Sequence, residues 1–417
     1  MESQVHTLSE AGAEGIRKTI DAATSDPTTQ IPGCVFVAVN RAGEELISHA
    51  SGRMSVDTPA PMTLDSVFWI ASCTKMITGI ACMQLVEQGK LTLDDAELVE
   101  GILPEVKRAV VFTGFDEKTG VPGVRKKETG ITLKMLLTHT AGFAYPLFYS
   151  ESRKLTLPVG IEEWARKLED IEGPLMFEPG TRWSYGTGVD WAGVLVERIS
   201  GLSLEEYFQK HIFEPLGIKN ITMFPSATMK ANLVHMHQRY SDGKIKTRGH
   251  IQRGPLNHSS SDEIFNSGGG GCFAQPQEYP KIIATLLNNG TSPHTGIQIL
   301  NPATVDLMFT NHIPEMPNFA REPIEAAMPE LTNPIAELYP QPHDQPQGWG
   351  LTFMLTISEG ASGRGRNTGW WAGLSNLYWW CDRERGVGGI IASQILPFAD
   401  PQVLSLWAQV EAAVYQG

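Results

Sequence analysis

Apolar positions at Leu8, Ile16, Ile20 and Ala23 recur at near-helical spacing, and Asp26-Pro27 closes the run, so the pattern predicts a helix over 8–25. Cys34 to Val39 is then a β-rich run. It is followed by Asn40-Arg41-Ala42-Gly43 and a second run from Glu45 to Ala50, the signature of a hairpin. From Thr74 to about Gly217 the periodicity is mostly helical and interrupted by Gly/Pro loops; residues 190–199 form a clear helix closed by Ser200-Gly201. A polar, glycine-containing stretch (241–271) leads into a helix over 277–288. Residues 311–347 carry many prolines and no periodicity, which predicts a long loop of the functional or mobile kind. Strands over 349–356, 375–382 and 387–394 and a last helix over 401–415 finish the chain.

Strands at both ends with helices between them predict an α/β domain from residues 1–70 plus 240–417. A helical domain, 71–239, is inserted into it, and the active site lies in the cleft between the two. The 417 residues, 41% hydrophobic and 19% charged, supply a large core and carry no disorder signature. The net charge of -13 disfavours nucleic acid and anionic membrane surfaces as partners. No apolar run is long enough to span a bilayer, and the first residues lack the basic and apolar regions of a secretory signal. Five cysteines without a C-x-x-C pair argue against a disulfide framework or a zinc site and for a reducing, cytoplasmic setting.

Chemistry concentrates in three places. Ala71-Ser72-Cys73-Thr74-Lys75 opens a helix that ends near Gly89. A separation of three puts Ser72 and Lys75 on one helical face, where an amine in apolar surroundings activates a hydroxyl or holds another base as its anion. The helix start adds free N–H groups that favour an oxyanion. A second match, Ser241-Asp242-Gly243-Lys244, straddles an Asp-Gly turn and reads as solvated loop. Next, a Pro-Gly turn at 179–180 feeds an aromatic stretch that presents Tyr185 at a helix entrance. A neighbouring ammonium is expected to depress the phenol pKa and make it a base. Third, Thr368 to Trp380 reads as small residues followed by an edge strand whose backbone N–H can serve as an oxyanion donor. His235-Met236-His237 places two histidines on one side of a strand with no third ligand, and Gly268 to Gly271 reads as close backbone packing rather than a phosphate loop. His139 reads as a packed or supporting histidine.

Together with Leu136-Leu137-Thr138-His139-Thr140-Ala141-Gly142, Asp190-Trp191-Ala192-Gly193 and Pro215-Leu216-Gly217, these pieces resemble the serine β-lactamase, penicillin-binding and esterase superfamily. The likeness is greatest to its class C β-lactamase-like branch and the fungal lovastatin-type acyltransferases (transesterases) within it. The resemblance implies a transpeptidase-like α+β fold, an antiparallel sheet flanked by helices with the helical insertion. It implies catalytic Ser72, Lys75 and Tyr185, and an oxyanion hole from the backbone N–H groups of Ser72 and Leu374. Tyr145 and Phe398 match substrate-lining positions. Two departures stand out: Tyr185-Gly186-Thr187 lacks the Asn of Tyr-x-Asn, and Trp371-Ala372-Gly373 replaces Lys-Thr-Gly. Antibiotic hydrolysis is therefore disfavoured, and Trp371, Ala372 and Gly373 suit a neutral ester or thioester.

The expected activity is transfer of an acyl group from a thioester or ester to an alcohol of a small secondary metabolite through an acyl-enzyme, with the thioester on a carrier protein or CoA. Tyr185 and Lys75 are left interchangeable as the base. The alternatives are an esterase or lactonase using the same groups, and a non-catalytic scaffold of the same fold. No cofactor or metal is called for. Trp69, Phe148, Tyr149 and Trp370 join Tyr145, Trp371 and Phe398 as expected pocket walls.

Overall fold

The computed structural model of the protein describes residues 5–162, 164, 166–257, 264–339 and 341–417. Residues 258–263 of the polar stretch and 340 of the long loop lie outside them. The elements that position the site are α1 (Glu10–Ala23), β1 (Gly33–Asn40), β2 (Glu45–Gly52), α2 (Thr74–Glu87), α3 (Gly188–Ser200) and α4 (Tyr279–Leu287). They continue with β3 (Gly348–Trp349), β4 (Met354–Thr356), β5 (Thr368–Gly373), β6 (Leu377–Asp382), β7 (Val387–Ala392) and α5 (Pro401–Gln416). The seven strands form one antiparallel sheet in the order β3-β4-β5-β6-β7-β1-β2, so the two ends of the chain build it jointly.

Register decides what each face meets. Trp370 lies opposite Trp380, and Tyr378 opposite Ile391, which in turn faces Phe36. On this face Phe36 stacks on Trp380 and Tyr378 stacks on Trp407 of α5. One residue along, Trp371 and Trp379 point the other way, where Trp379 meets Tyr279 of α4. With both faces covered, β1, β5, β6 and β7 are buried throughout. α1 and α5 pack on each other, α1 capped by Ser9 and α5 by Asp400.

The expected segment over 349–356 is two short strands, because Gly350 to Phe353 break away to pack on Met308 and α2. The stretch from Thr368 is not an edge strand: β5 is third of seven. Its partner β4 covers only 368–370, however, which leaves 371–373 open on that side. α2 is buried from Thr74 to Leu85 on every face, an interior helix packed against α3. The long loop is pinned rather than free. Ser150 donates to Glu325, Met328 N–H donates to the Leu147 carbonyl, Asn333 N–H donates to the Phe398 carbonyl at 3.0 Å, and Phe398 N–H donates to the Leu331 carbonyl at 2.8 Å. The histidine pair is not on one strand face. His235 precedes its strand and is exposed, whereas His237 is buried with Nδ1 at the Gln394 carbonyl and Nε2 accepting from Val56 N–H. No described helix is long and apolar enough to cross a membrane.

Candidate active site

The turn that carries Ser72 is built against its neighbours. The short strand Phe68–Trp69 pairs with Phe273–Ala274, Ile70 N–H bonds to the Cys272 carbonyl, and Ala71 then adopts φ 45°, an uncommon left-handed conformation for a residue with a Cβ. Thr74 Oγ1 closes the turn on the Ala71 carbonyl at 2.7 Å and accepts from Cys272 N–H at 3.1 Å. Ser72 thus sits in one 3-10 turn just ahead of α2, half-buried, with Lys75 on the first turn of the helix.

Lys75 is fully buried. Its Nζ donates to Ser72 Oγ at 3.1 Å, to the Gly269 carbonyl at 2.7 Å and to Tyr145 Oη at 3.3 Å. Tyr145 Oη donates onward to Asp190 Oδ2 at 3.1 Å, in the first turn of α3. The other oxygen of Asp190 takes Gly269 N–H at 2.9 Å and Ser267 Oγ at 2.6 Å. The glycines of 268–271 allow this approach: a Cβ on Gly269 would lie 2.3 Å from Asp190 Oδ2 and 2.8 Å from Tyr145 Oη.

Tyr185 closes the group from the far side. Its hydroxyl faces Ser72, close enough for the serine to lower its pKa, and accepts Trp371 Nε1–H at 3.0 Å. Lys75 Nζ stands 4.7 Å above the centre of the Tyr185 ring, over its face. Burial pushes this phenol above its ordinary value, and the bonds from Ser72 and Trp371 offset only part of that. The expected depression by the ammonium is thus overturned: desolvation wins, and Tyr185 is a neutral phenol at neutral pH. Its loop is braced by Tyr149, whose hydroxyl accepts Tyr185 N–H at 3.2 Å. Tyr149 is therefore a brace and not a wall of the pocket.

These groups open into a cavity of about 310 Å³, lined by Trp69, Ser72, Tyr145, Phe148, Tyr185, Trp370, Trp371, Ala372, Gly373, Leu374 and Phe398, with Tyr339, Ile324 and Ile335 of the long loop among its other walls. The wall is overwhelmingly aromatic and aliphatic. Leu374 begins the turn after β5, just beyond the Gly373–Leu377 pair. Gly373 has to be glycine, because a Cβ there would lie 2.7 Å from the Ile70 carbonyl, and its absence lets the strand reach the serine turn. Neither Ser72 N–H nor Leu374 N–H donates to a backbone acceptor among the described residues, and both residues border the cavity.

His139 packs behind Tyr185 at 4.7 Å between ring centres, and burial drives its pKa well down, so it is a neutral packing group. Sequence reasoning missed Asp190 as a partner of the lysine, and it missed the second role of Trp371. The only trace of the first is an acidic residue five positions after Tyr185 at a helix start. The second has none, since an indole reads equally as wall or donor.

The chain matches the Beta-lactamase family model over residues 16–413. It is 33% identical over 388 residues to a lovastatin esterase of Penicillium rubens, covering 89% of this chain and 90% of that one. It is 30% identical over 399 residues to a monacolin J acid methylbutanoyltransferase of Aspergillus terreus, covering 93% and 92%. A mutant simvastatin synthase from Aspergillus terreus superposes with a TM-score of 0.82 at 29% identity, covering 98% and 95%. The chain belongs to the β-lactamase family and is an enzyme of its acyltransferase and esterase branch.

Proposed function

We propose that the protein is a serine acyltransferase that moves an acyl group from a thioester or ester onto an alcohol of a small secondary metabolite. The reading is carried by one observation: Ser72 Oγ lies between a buried amine and a buried phenol at the wall of an apolar cavity. Ser72 Oγ attacks the acyl carbonyl and passes its proton to Nζ of Lys75 in its neutral amine form, 3.1 Å away. The neutral phenol of Tyr185 supplies a proton to the departing sulfur or oxygen, and the C–S or C–O bond breaks to leave the acyl-enzyme. Lys75 then passes that proton to the Tyr185 phenolate, which restores the neutral amine and the neutral phenol. The second alcohol enters, gives its proton to Lys75 and attacks the acyl carbonyl; the bond to Ser72 Oγ breaks, Tyr185 protonates that oxygen, and Lys75 again reprotonates the phenolate. The N–H groups of Ser72 and Leu374 hold the tetrahedral oxyanion, each a term of about 3–4 kcal/mol. Asp190, acting through Tyr145, orients Lys75 and stabilises the ammonium that forms.

The site sits where the segment 71–239, which supplies Ser72, Lys75, Tyr145 and Tyr185, meets the segments 1–70 and 240–417, which supply the strand from Trp371 to Leu374. We take these as the two domains and the cavity as the cleft between them. Apolar walls favour an organic alcohol over water for deacylation, and relatives named as acyltransferases support that choice. A donor thioester on a carrier protein or CoA, and a reducing, cytoplasmic setting for five buried free thiols, complete the reading. The lovastatin esterase relative supports hydrolysis as the second reading. The test is intact-mass detection of a phosphonate adduct on the protein and on Ser72→Ala. A short acyl thioester is then incubated with and without alcohols. An adduct that persists in the mutant removes Ser72, and hydrolysis indifferent to every alcohol leaves the esterase.

A further inference from the structure

In the acyl-transfer reading Leu374 N–H holds the oxyanion, and the turn that presents it is set by a side chain outside the reaction. This turn links β5 to β6 beyond the Gly373–Leu377 pair, and Asn376 N–H closes it on the Gly373 carbonyl at 2.9 Å. Asn376 itself is fully buried and left-handed, at φ 63°. Glycine meets that backbone need without a steric cost, whereas asparagine is only tolerated there. A buried amide is costly unless it is hydrogen-bonded. What the position gains from asparagine is therefore its side chain.

The whole hydrogen-bonding capacity of that side chain is used. Nδ2 donates to the carbonyls of Ile395 and Pro397, both at 2.9 Å. Oδ1 accepts Asp400 N–H at 3.0 Å and the Tyr378 hydroxyl at 2.9 Å. Two acceptors on one side and two donors on the other leave the amide a single orientation. The segment 395–400 that it grips is anchored independently. Asp400 caps α5 and pairs with Arg239, Ile395 pairs with His237, and Phe398 N–H is held by the Leu331 carbonyl. The turn is tied to the serine side as well. Ser375 Oγ and Gln394 Nε2 both donate to the carbonyl of Trp69, three residues ahead of Ser72, at 3.4 Å. Ser393 Oγ donates to the carbonyls of Ser375 and Asn376 at 3.2 and 2.8 Å.

We propose that Asn376 is the positioning residue of the oxyanion hole. Its amide fixes the turn 374–376 on the segment 395–400, and so fixes where Leu374 N–H stands relative to Ser72 N–H. This deepens the acyl-enzyme reading and rests on it. Asn376 is no part of the cavity wall among the described residues, so it acts on the reaction through the backbone and not on substrate.

Two variants test this. Asn376→Gly keeps the left-handed backbone and deletes the amide. Asn376→Asp keeps the shape; set between two carbonyls and beside Asp400, the new carboxyl is held as the neutral acid and restores one of the two donated bonds. Both are compared with the parent in the stopped-flow burst from p-nitrophenyl butyrate, whose amplitude counts folded sites and whose rate reports on each site. Asn376→Gly is expected to slow the burst about ten- to hundredfold with KM little changed, the effect of displacing one donor rather than removing it. Asn376→Asp falls between Asn376→Gly and the parent. A side chain that served stability alone would lower the amplitude and leave the rate of the remaining sites. A burst rate for Asn376→Gly within about threefold of the parent, or a loss confined to KM, overturns the inference. If Asn376→Gly does not fold, Asn376→Asp decides: a slowed burst supports the inference and the parent's rate overturns it. A parent with neither a burst nor a phosphonate adduct on Ser72 removes the acyl-enzyme reading and this inference with it. A parent that shows both, with Asn376→Gly at its rate, removes this inference alone.

Discussion

Replacing Tyr185 by Phe deletes one atom from the site and leaves the ring. The ring is fixed by His139, Tyr145, Phe148 and Trp371, with centres 4.7, 5.1, 5.8 and 5.1 Å away, so the packing survives. Two things are lost: the proton offered to the leaving group, and the acceptor of Trp371 Nε1–H at 3.0 Å. General acid catalysis by a placed side chain contributes about 10²–10⁴ in rate, so kcat for acyl-enzyme formation is expected to fall by that factor, or roughly 3–5 kcal/mol. The stranded indole N–H costs about 1–3 kcal/mol of stability. Trp371→Phe in the Tyr185→Phe background removes the stranded donor and recovers most of that stability without restoring the rate. The assay pairs the stopped-flow burst of p-nitrophenol from a neutral ester with denaturant melts of the four proteins in the cycle. A Tyr185→Phe enzyme within about threefold of the parent in burst rate refutes the role given to the phenol, since such a loss is far below what general acid catalysis supplies.

Asp190→Asn keeps the shape of the carboxylate but not its charge. It is expected to slow the burst about ten- to hundredfold with KM little changed, because Asp190 acts on the developing ammonium through Tyr145 rather than on substrate. An unchanged burst, or a loss confined to KM, removes it from that role. Burial raises the phenols of Tyr185, Tyr279, Tyr378 and Tyr415 above the ordinary 10.0. The folded state therefore binds more protons than the unfolded one above about pH 10, so stability holds below that pH and falls as pH rises beyond it, by up to about 1.4 kcal/mol per pH unit for each such group. The share of the phenolate absorbance at 295 nm due to these four of the nine tyrosines should appear only with unfolding; ionisation of all nine in the folded protein contradicts the burial. All five thiols are buried, and Cys34 and Cys82 are pushed up to about 12. The native protein should accordingly resist a thiol-disulfide reagent at pH 8 and expose five reactive groups on denaturation, and rapid native labelling runs against this packing.

The parts of the site that depend on local spacing were legible. Ser72 and Lys75 are three residues apart at a helix start, and a helix apolar on all sides had to bury its lysine. The helices over 188–200 and 279–287 and the hairpin over 33–52 follow from period and turn residues alone. What joins distant segments was not legible. Nothing near Tyr185 announces that desolvation outweighs a neighbouring cation, because burial is a property of the assembled core. The same holds for β5. Its small residues suggested an edge, and only the sheet order shows a strand internal at 368–370 and open from 371 onward.

The replacement at Trp371 ties these points together. In Lys-Thr-Gly enzymes this strand position offers a cation to the substrate. Here an indole fills it, and its N–H is spent on the Tyr185 hydroxyl rather than on a ligand. The strand therefore contributes apolar surface and a fixed orientation for the phenol, and the task of meeting a substrate anion is left vacant at the site where the superfamily keeps it.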